Sequence, residues 1–192
     1  MRVIGIDPGV ATTGYGVVER AGNRLSALDF GVIRTSRDAD HEVRLAEIAG
    51  ALRALLARHR VDAAAVERVF FNSNVKTAMS VGQASGVALA SIGELKVAVA
   101  EYTPLEVKQS VVGVGHASKR QVQTMVAQLL GLEGQPSPAD AADACALAIC
   151  HLNRSALSRA IARAEPPRAE PPRATQRAPA ARSQGADRDG RS

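Results

Sequence analysis

Aromatic residues are nearly missing from this chain: 192 residues contain no tryptophan and only Tyr15, Tyr102, Phe30, Phe70 and Phe71. Its interior must therefore be filled by aliphatic side chains and alanine, which a chain of this length can do as one domain plus a tail. Cysteine is limited to Cys145 and Cys150. Five residues apart on an expected helix, they point in different directions and fit neither a disulfide nor a zinc pattern, so small core thiols in a reducing compartment are predicted. No apolar run reaches the roughly 18 residues of a membrane span, and the N-terminal MRVIGID lacks the pattern of a secretory leader. A soluble cytoplasmic protein without a membrane partner is expected. Gly5, Gly9, Gly14 and Gly16 are followed by no Gly-Lys-Ser/Thr and enter a strand, which excludes a nucleotide phosphate loop.

Charge is unevenly spread. The formal net charge is +5. From Arg154 onward nine arginines face only Glu165, Glu170, Asp187 and Asp189, leaving residues 1–153 balanced at 15 basic and 15 acidic side chains. Nucleic-acid binding by the folded part must then come from local patches, not from bulk charge. After about Ser155 the chain is rich in Arg, Ala, Pro and Ser, with a repeated RAEPP. Such a composition is too poor in large apolar groups to fold alone. A folded domain over 1–154 and a disordered basic tail over 155–192 are expected.

Within the domain, Val3 to Asp7 is an apolar run stopped by Pro8-Gly9, and Thr13 to Glu19 and Leu25 to Arg34 form an antiparallel pair around Ala21-Gly22-Asn23. Leu45, Ile48, Leu52, Leu55 and His59 mark one stripe of a helix beginning near Asp40. Val61 to Val69 is a fourth strand, Val75 to Ile92 a helix rich in small residues, and Val97 to Glu101 a fifth strand. Three helices follow, each opened by a capping-box pattern: Thr103 with Glu106, Ser118 with Gln121, and Ser137 with Asp140. This order predicts an α/β fold, a five-stranded mixed sheet flanked by helices, as in ribonuclease H-like domains.

Four acids stand out. Asp7 and Glu67 end apolar strands, and Asp140 and Asp143 lie three apart on one helix face. Ordinary explanations exist for three of them: Asp7 as a turn former, Asp140 as a capping acid, Asp143 as a solvated helix residue. Glu67 is harder to explain that way, because Ala63, Ala64, Ala65 and Val66 predict burial on both faces of its strand. Carboxylates without partners are costly to bury, and a magnesium ion with its preference for oxygen ligands would compensate them. Two such ions roughly 3.5 to 4 Å apart can activate water and stabilise the leaving oxygen in phosphodiester cleavage.

The motifs GIDPG at Gly5 to Gly9, TGYGV at Thr13 to Val17, ERVF at Glu67 to Phe70, VKQSVVGVG at Val107 to Gly115 and DAADA at Asp140 to Ala144 occur in one order over roughly residues 1–153. Together they resemble the RuvC family of bacterial Holliday-junction resolvases. The resemblance implies a ribonuclease H-like fold and a homodimer that makes paired, nearly symmetric nicks in four-way junction DNA and leaves ligatable ends. It further implies Mg²⁺ as cofactor, two ions per subunit with Mn²⁺ as a substitute, and cooperation with the RuvAB branch-migration complex. By motif, Asp7, Glu67, Asp140 and Asp143 are the catalytic and metal-binding acids. Some family members carry histidine in the last acidic motif, whereas both positions here are Asp, so the division of roles between Asp140 and Asp143 stays open. Lys108 and Lys119 match the family's basic residues near the cleft, Phe70 its base-contacting ring, and Arg68 is a weaker phosphate candidate. His116 reads as a surface residue. A junction-binding module without nuclease activity would be expected to lack some of the four acids, and an actin-like ATPase would need a longer, two-lobed chain.

Overall fold

The structure, a computed structural model, describes residues 1–68 and 75–164, with side chains described up to 68 and from 78 to 158. Phe70, Phe71 and the tail from 165 onward lie outside the described residues. The elements follow in the order β1 (Arg2–Asp7), β2 (Thr12–Ala21), β3 (Arg24–Arg34), α1 (His41–His59), β4 (Ala63–Glu67), α2 (Val75–Glu94), β5 (Ala98–Tyr102), α3 (Pro104–Val112), α4 (Lys119–Leu130) and α5 (Ala139–Ala164). The sheet order is β3-β2-β1-β4-β5. β1, β2 and β3 pair antiparallel, while β1, β4 and β5 run parallel. This is the expected five-stranded mixed sheet.

Strand parity divides the core into two layers. Ile4, Ile6, Val17, Ala64 and Val66 pack with Ile48, Leu52 and Leu56 of α1 and Ala88 and Ile92 of α2. Val3, Val18, Ala63 and Ala65 face α3, α4 and α5, where Val107, Val111, Val122, Val126 and the run from Cys145 to Cys150 close the other layer. The helix stripe read from sequence is confirmed at Ile48 and Leu52, with Leu56 buried beyond Leu55. Both cysteines are free and buried, as expected, and burial pushes the Cys145 thiol up to about 12.

Two sequence expectations need correction. The fourth strand is shorter than Val61 to Val69: Val61 only leads into β4 and Arg68 lies just past it, although the backbone N–H of Arg68 still donates to the Tyr102 carbonyl at 2.9 Å. Capping boxes form at Thr103 and at Ser118. The third does not, because α5 starts at Ala139, one residue late for Ser137 to act as its cap. Proline at 138 offers no side-chain acceptor, and Asp140 is thereby left without the capping duty that would have explained it. The helix α5 runs from Ala139 to Ala164.

Candidate active site

β1 and β4 are parallel neighbours with Ile6 opposite Val66, so their last residues, Asp7 and Glu67, come out side by side at one sheet edge. Both share the parity of Gly5 and Ala65, which turns them toward α5. That helix lies against the sheet at backbone contact. A Cβ on Gly5 would collide with the Ala144 carbonyl, one on Gly14 with the Asp140 carbonyl, and one on Gly16 with Cys145. They are three of the four glycines near the N-terminus that belong to no nucleotide loop. Their role is a seam that seats the first turns of α5, and with them Asp140 and Asp143, over the ends of β1 and β4.

Carboxylate oxygens of Asp7, Asp140 and Asp143 all lie within 4.8 Å of one another. Glu67 stands outside this trio but lines the same cavity and shares a hydrogen bond with Asp7. The cavity, about 390 Å³, is also lined by Lys108, Lys119 and an apolar wall that includes Val107, Val122 and Leu147. Asp7 is pushed up to about 8, first by burial, then by its hydrogen bond to Glu67 and the charges of Glu67, Asp143 and Asp140. So much negative charge in so small a space calls for a cation, and an all-oxygen donor set suits a hard divalent one. The residues present thus fit a metal ion on their own electrostatics. Lys119 supplies part of the balance, with Nζ 2.6 Å from Asp143 Oδ2, and that hydrogen bond raises its pKa.

Of the other sequence candidates, Lys108 reaches the cavity while Arg68 does not line it. Arg68 is exposed, near Glu106. His116 is exposed as expected. His59 instead meets Asp29 at 2.9 Å, His41 meets Gln83 at 2.7 Å and His151 meets Tyr102 at 2.8 Å, all in structural contacts. Sequence reasoning missed the lysine pair with Asp143 and the apolar wall. The signal for the wall was present in the burial stripe of α3 and α4, but nothing in one dimension shows which helices share a cavity.

A mixed sheet with carboxylates at the ends of its central strands and on the helix crossing them defines the ribonuclease H-like class of metal-dependent nucleases. The family model described as crossover junction endodeoxyribonuclease RuvC matches residues 3–151. A RuvC of Syntrophomonas wolfei is 50% identical over 158 residues, covering 82% of this chain and 92% of that protein. One from Moorella thermoacetica is 52% identical over 151 residues, 79% of this chain and 90% of its own length. Among solved structures, Thermus thermophilus RuvC in complex with a Holliday junction substrate superposes with a TM-score of 0.78 at 37% identity, covering 82% of this chain and 96% of that one. The yeast mitochondrial Holliday junction resolvase shares the fold at 16% identity, over 83% of this chain and 82% of its own, with a TM-score of 0.59. The chain belongs to the RuvC family.

Proposed function

We infer that this protein is a Holliday-junction resolvase, an endonuclease that cuts four-way DNA junctions in recombination and repair. The observation that carries the reading is the convergence of Asp7, Asp140 and Asp143, with Glu67 beside them, in a cavity that also holds Lys108 and Lys119. A metal ion bound there supplies an activated water and stabilises the leaving oxygen of the phosphodiester. The four acids hold it, with Mg²⁺ as the natural ion, two per subunit, and Mn²⁺ as a substitute. Asp7 and Glu67, at the ends of two sheet strands, and Asp140 and Asp143, on α5, would be the residues that hold it. Lys108 and Lys119 meet the scissile phosphate as point charges. The wall of Val107, Val122 and Leu147 limits water around the reacting group, which strengthens each of these electrostatic contacts.

Beyond the cavity, Arg68 adds a phosphate contact and Phe70 stacks on a base at the crossover. The enzyme works as a homodimer, so that two cavities cut symmetry-related strands. The face of α2 around Gly82 and Gly86 supports that assembly, because among the described residues nothing outside the helix's own turns lies within 4 Å of where a side chain would begin at either glycine, which leaves room for a second backbone. RuvAB delivers the junction, and the site of action is the cytoplasm. Among the described residues no helix is long and apolar enough to cross a membrane. The nuclease unit is 1–154, with 155–192 as a basic accessory tail.

Replacing Asp7 with Asn or Glu67 with Gln tests the assignment on a labelled junction with metal omitted and restored. Cleavage should fall by more than the roughly 100-fold that loss of an outer-shell partner costs, while junction binding persists because negative charge has been removed. Undiminished cutting by either variant would overturn it.

A further inference from the structure

Lys119 and Asp143 are joined in an ion pair that a metal ion on the same carboxylate would weaken. Asp143 Oδ2 lies 2.6 Å from Lys119 Nζ, and the same carboxylate belongs to the trio whose oxygens crowd within 4.8 Å. A divalent ion at about 2.1 Å from an oxygen of that carboxylate would draw on its charge and repel the ammonium beside it. The backbone of Lys119 is fixed, as the first residue of α4 behind the closed Ser118–Gln121 capping box. Its side chain is 59% exposed, so the flexible four-carbon stem is what can move. Lys108 lines the same cavity but makes no ion pair among the described residues.

Resting on the nuclease reading above, we propose that Lys119 is a displaceable counter-cation: in DNA-free protein it occupies Asp143 and opposes metal loading, and a junction phosphate draws it away and opens Asp143 to the metal. One ammonium shared between the carboxylate and the phosphate stabilises each less than it would either alone. Metal and junction therefore favour each other through the same side chain, and the coupling is reciprocal by linkage. Metal loading is thereby tied to a seated substrate, which guards against nicking before the strands are in register. Lys119 is a positioning residue in this role, distinct from its phosphate contact.

Mn²⁺ binding to DNA-free protein, followed by the EPR signal of free Mn²⁺, reads this directly. Lys119→Met and Lys119→Gln should bind Mn²⁺ more tightly than the unaltered protein by on the order of tenfold, within the usual range of site coupling. Lys108→Met, which removes an equal charge from the same cavity without freeing Asp143, should gain clearly less. In the unaltered protein, Mn²⁺ affinity should rise when a four-way junction is added whose exchange-point linkages carry a methylene group in place of the 3′-oxygen, so that charge stays and cleavage cannot occur. That gain should shrink in Lys119→Met to what direct contact between metal and phosphate supplies, and an undiminished gain would also overturn the proposal. Equal tightening by the Lys108 and Lys119 variants, or none by Lys119→Met and Lys119→Gln, overturns the counter-cation role. Failure of the unaltered protein to cut a normal junction with Mn²⁺ would overturn the nuclease reading instead, so the two failures are separable.

Discussion

Asp7 sits where the packing of the sheet works against its own charge. Burial comes first and neighbouring carboxylates second in holding its carboxyl at about 8 rather than the ordinary 3.8. The sign of the consequence is fixed by linkage: a folded-state pKa above the unfolded one favours the protonated, folded form at low pH, and that advantage is lost as pH rises through the folded value. Metal-free protein should thus lose thermal stability between about pH 4 and pH 8 through Asp7, added Mg²⁺ should restore it increasingly toward pH 8, and metal binding should release protons. Melting curves at pH 5 and pH 8, with and without metal, check this against Asp7→Asn, which should show a flatter metal-free profile. An equally steep decline in the variant would mean another group is responsible. At this scale the sequence was informative about which acids to watch, since Glu67 interrupts a strand that is otherwise buried. It was silent on their spacing. Asp140 had a local explanation as a capping acid that only the true start of α5 removes.

The elements that hold the acids do so through an absence of side chains. Gly5 and Gly14, with Gly16, leave no space between the sheet and α5, so the register of the helix is set by backbone against backbone. Gly14 is the most sensitive position, because an added methyl there meets Asp140 itself. Gly14→Ala should cost about 1–3 kcal/mol of stability by overpacking. The rate of cleavage should fall much further, on the order of 100-fold, since displacement of a reacting group by about 1 Å suffices for that. Single-turnover cleavage beside a thermal melt separates the two, and a rate loss no larger than the stability loss predicts would contradict the seam. The strands, the helix order and two of three capping boxes were readable in advance because they are written in local pattern. The glycines were visible but their purpose was not, as the partner lies more than 120 residues away in α5 and close approach leaves no trace in periodicity.

At the scale of the whole molecule, one sheet separates two cores, and the cavity opens at its edge where both central parallel strands end. α5 spans the domain from the carboxylates at its start to Arg154, which pairs with Glu106 at 3.3 Å and lies 5.6 Å from the centre of the Tyr102 ring. Ending the chain after Ala164 should leave melting temperature and cleavage rate unchanged and weaken DNA binding most at low salt. Ending it before Arg154 should additionally cost about 1 kcal/mol, from the lost ion pair and ring contact. Denaturant titration of the two truncations tests the boundary, and a large loss of stability on removing only 165–192 would show that the tail is part of the fold. Composition alone shows a change in character near Ser155, whereas α5 runs on to Ala164 and Arg154 within it is packed against Glu106 and Tyr102.

The glycine seam also limits how such a site can vary. Glycine is the smallest residue there is, so every substitution at these positions adds volume, and trimming a neighbouring side chain is not enough, because main-chain atoms also stand within 3 Å of an added Cβ at each of the three. The alignment of the acids therefore has no adjustable parameter along this seam. Variation has room where side chains do the touching, as between α3 and α4, where a side chain added at Gly115 would meet the end of Leu105 rather than main chain.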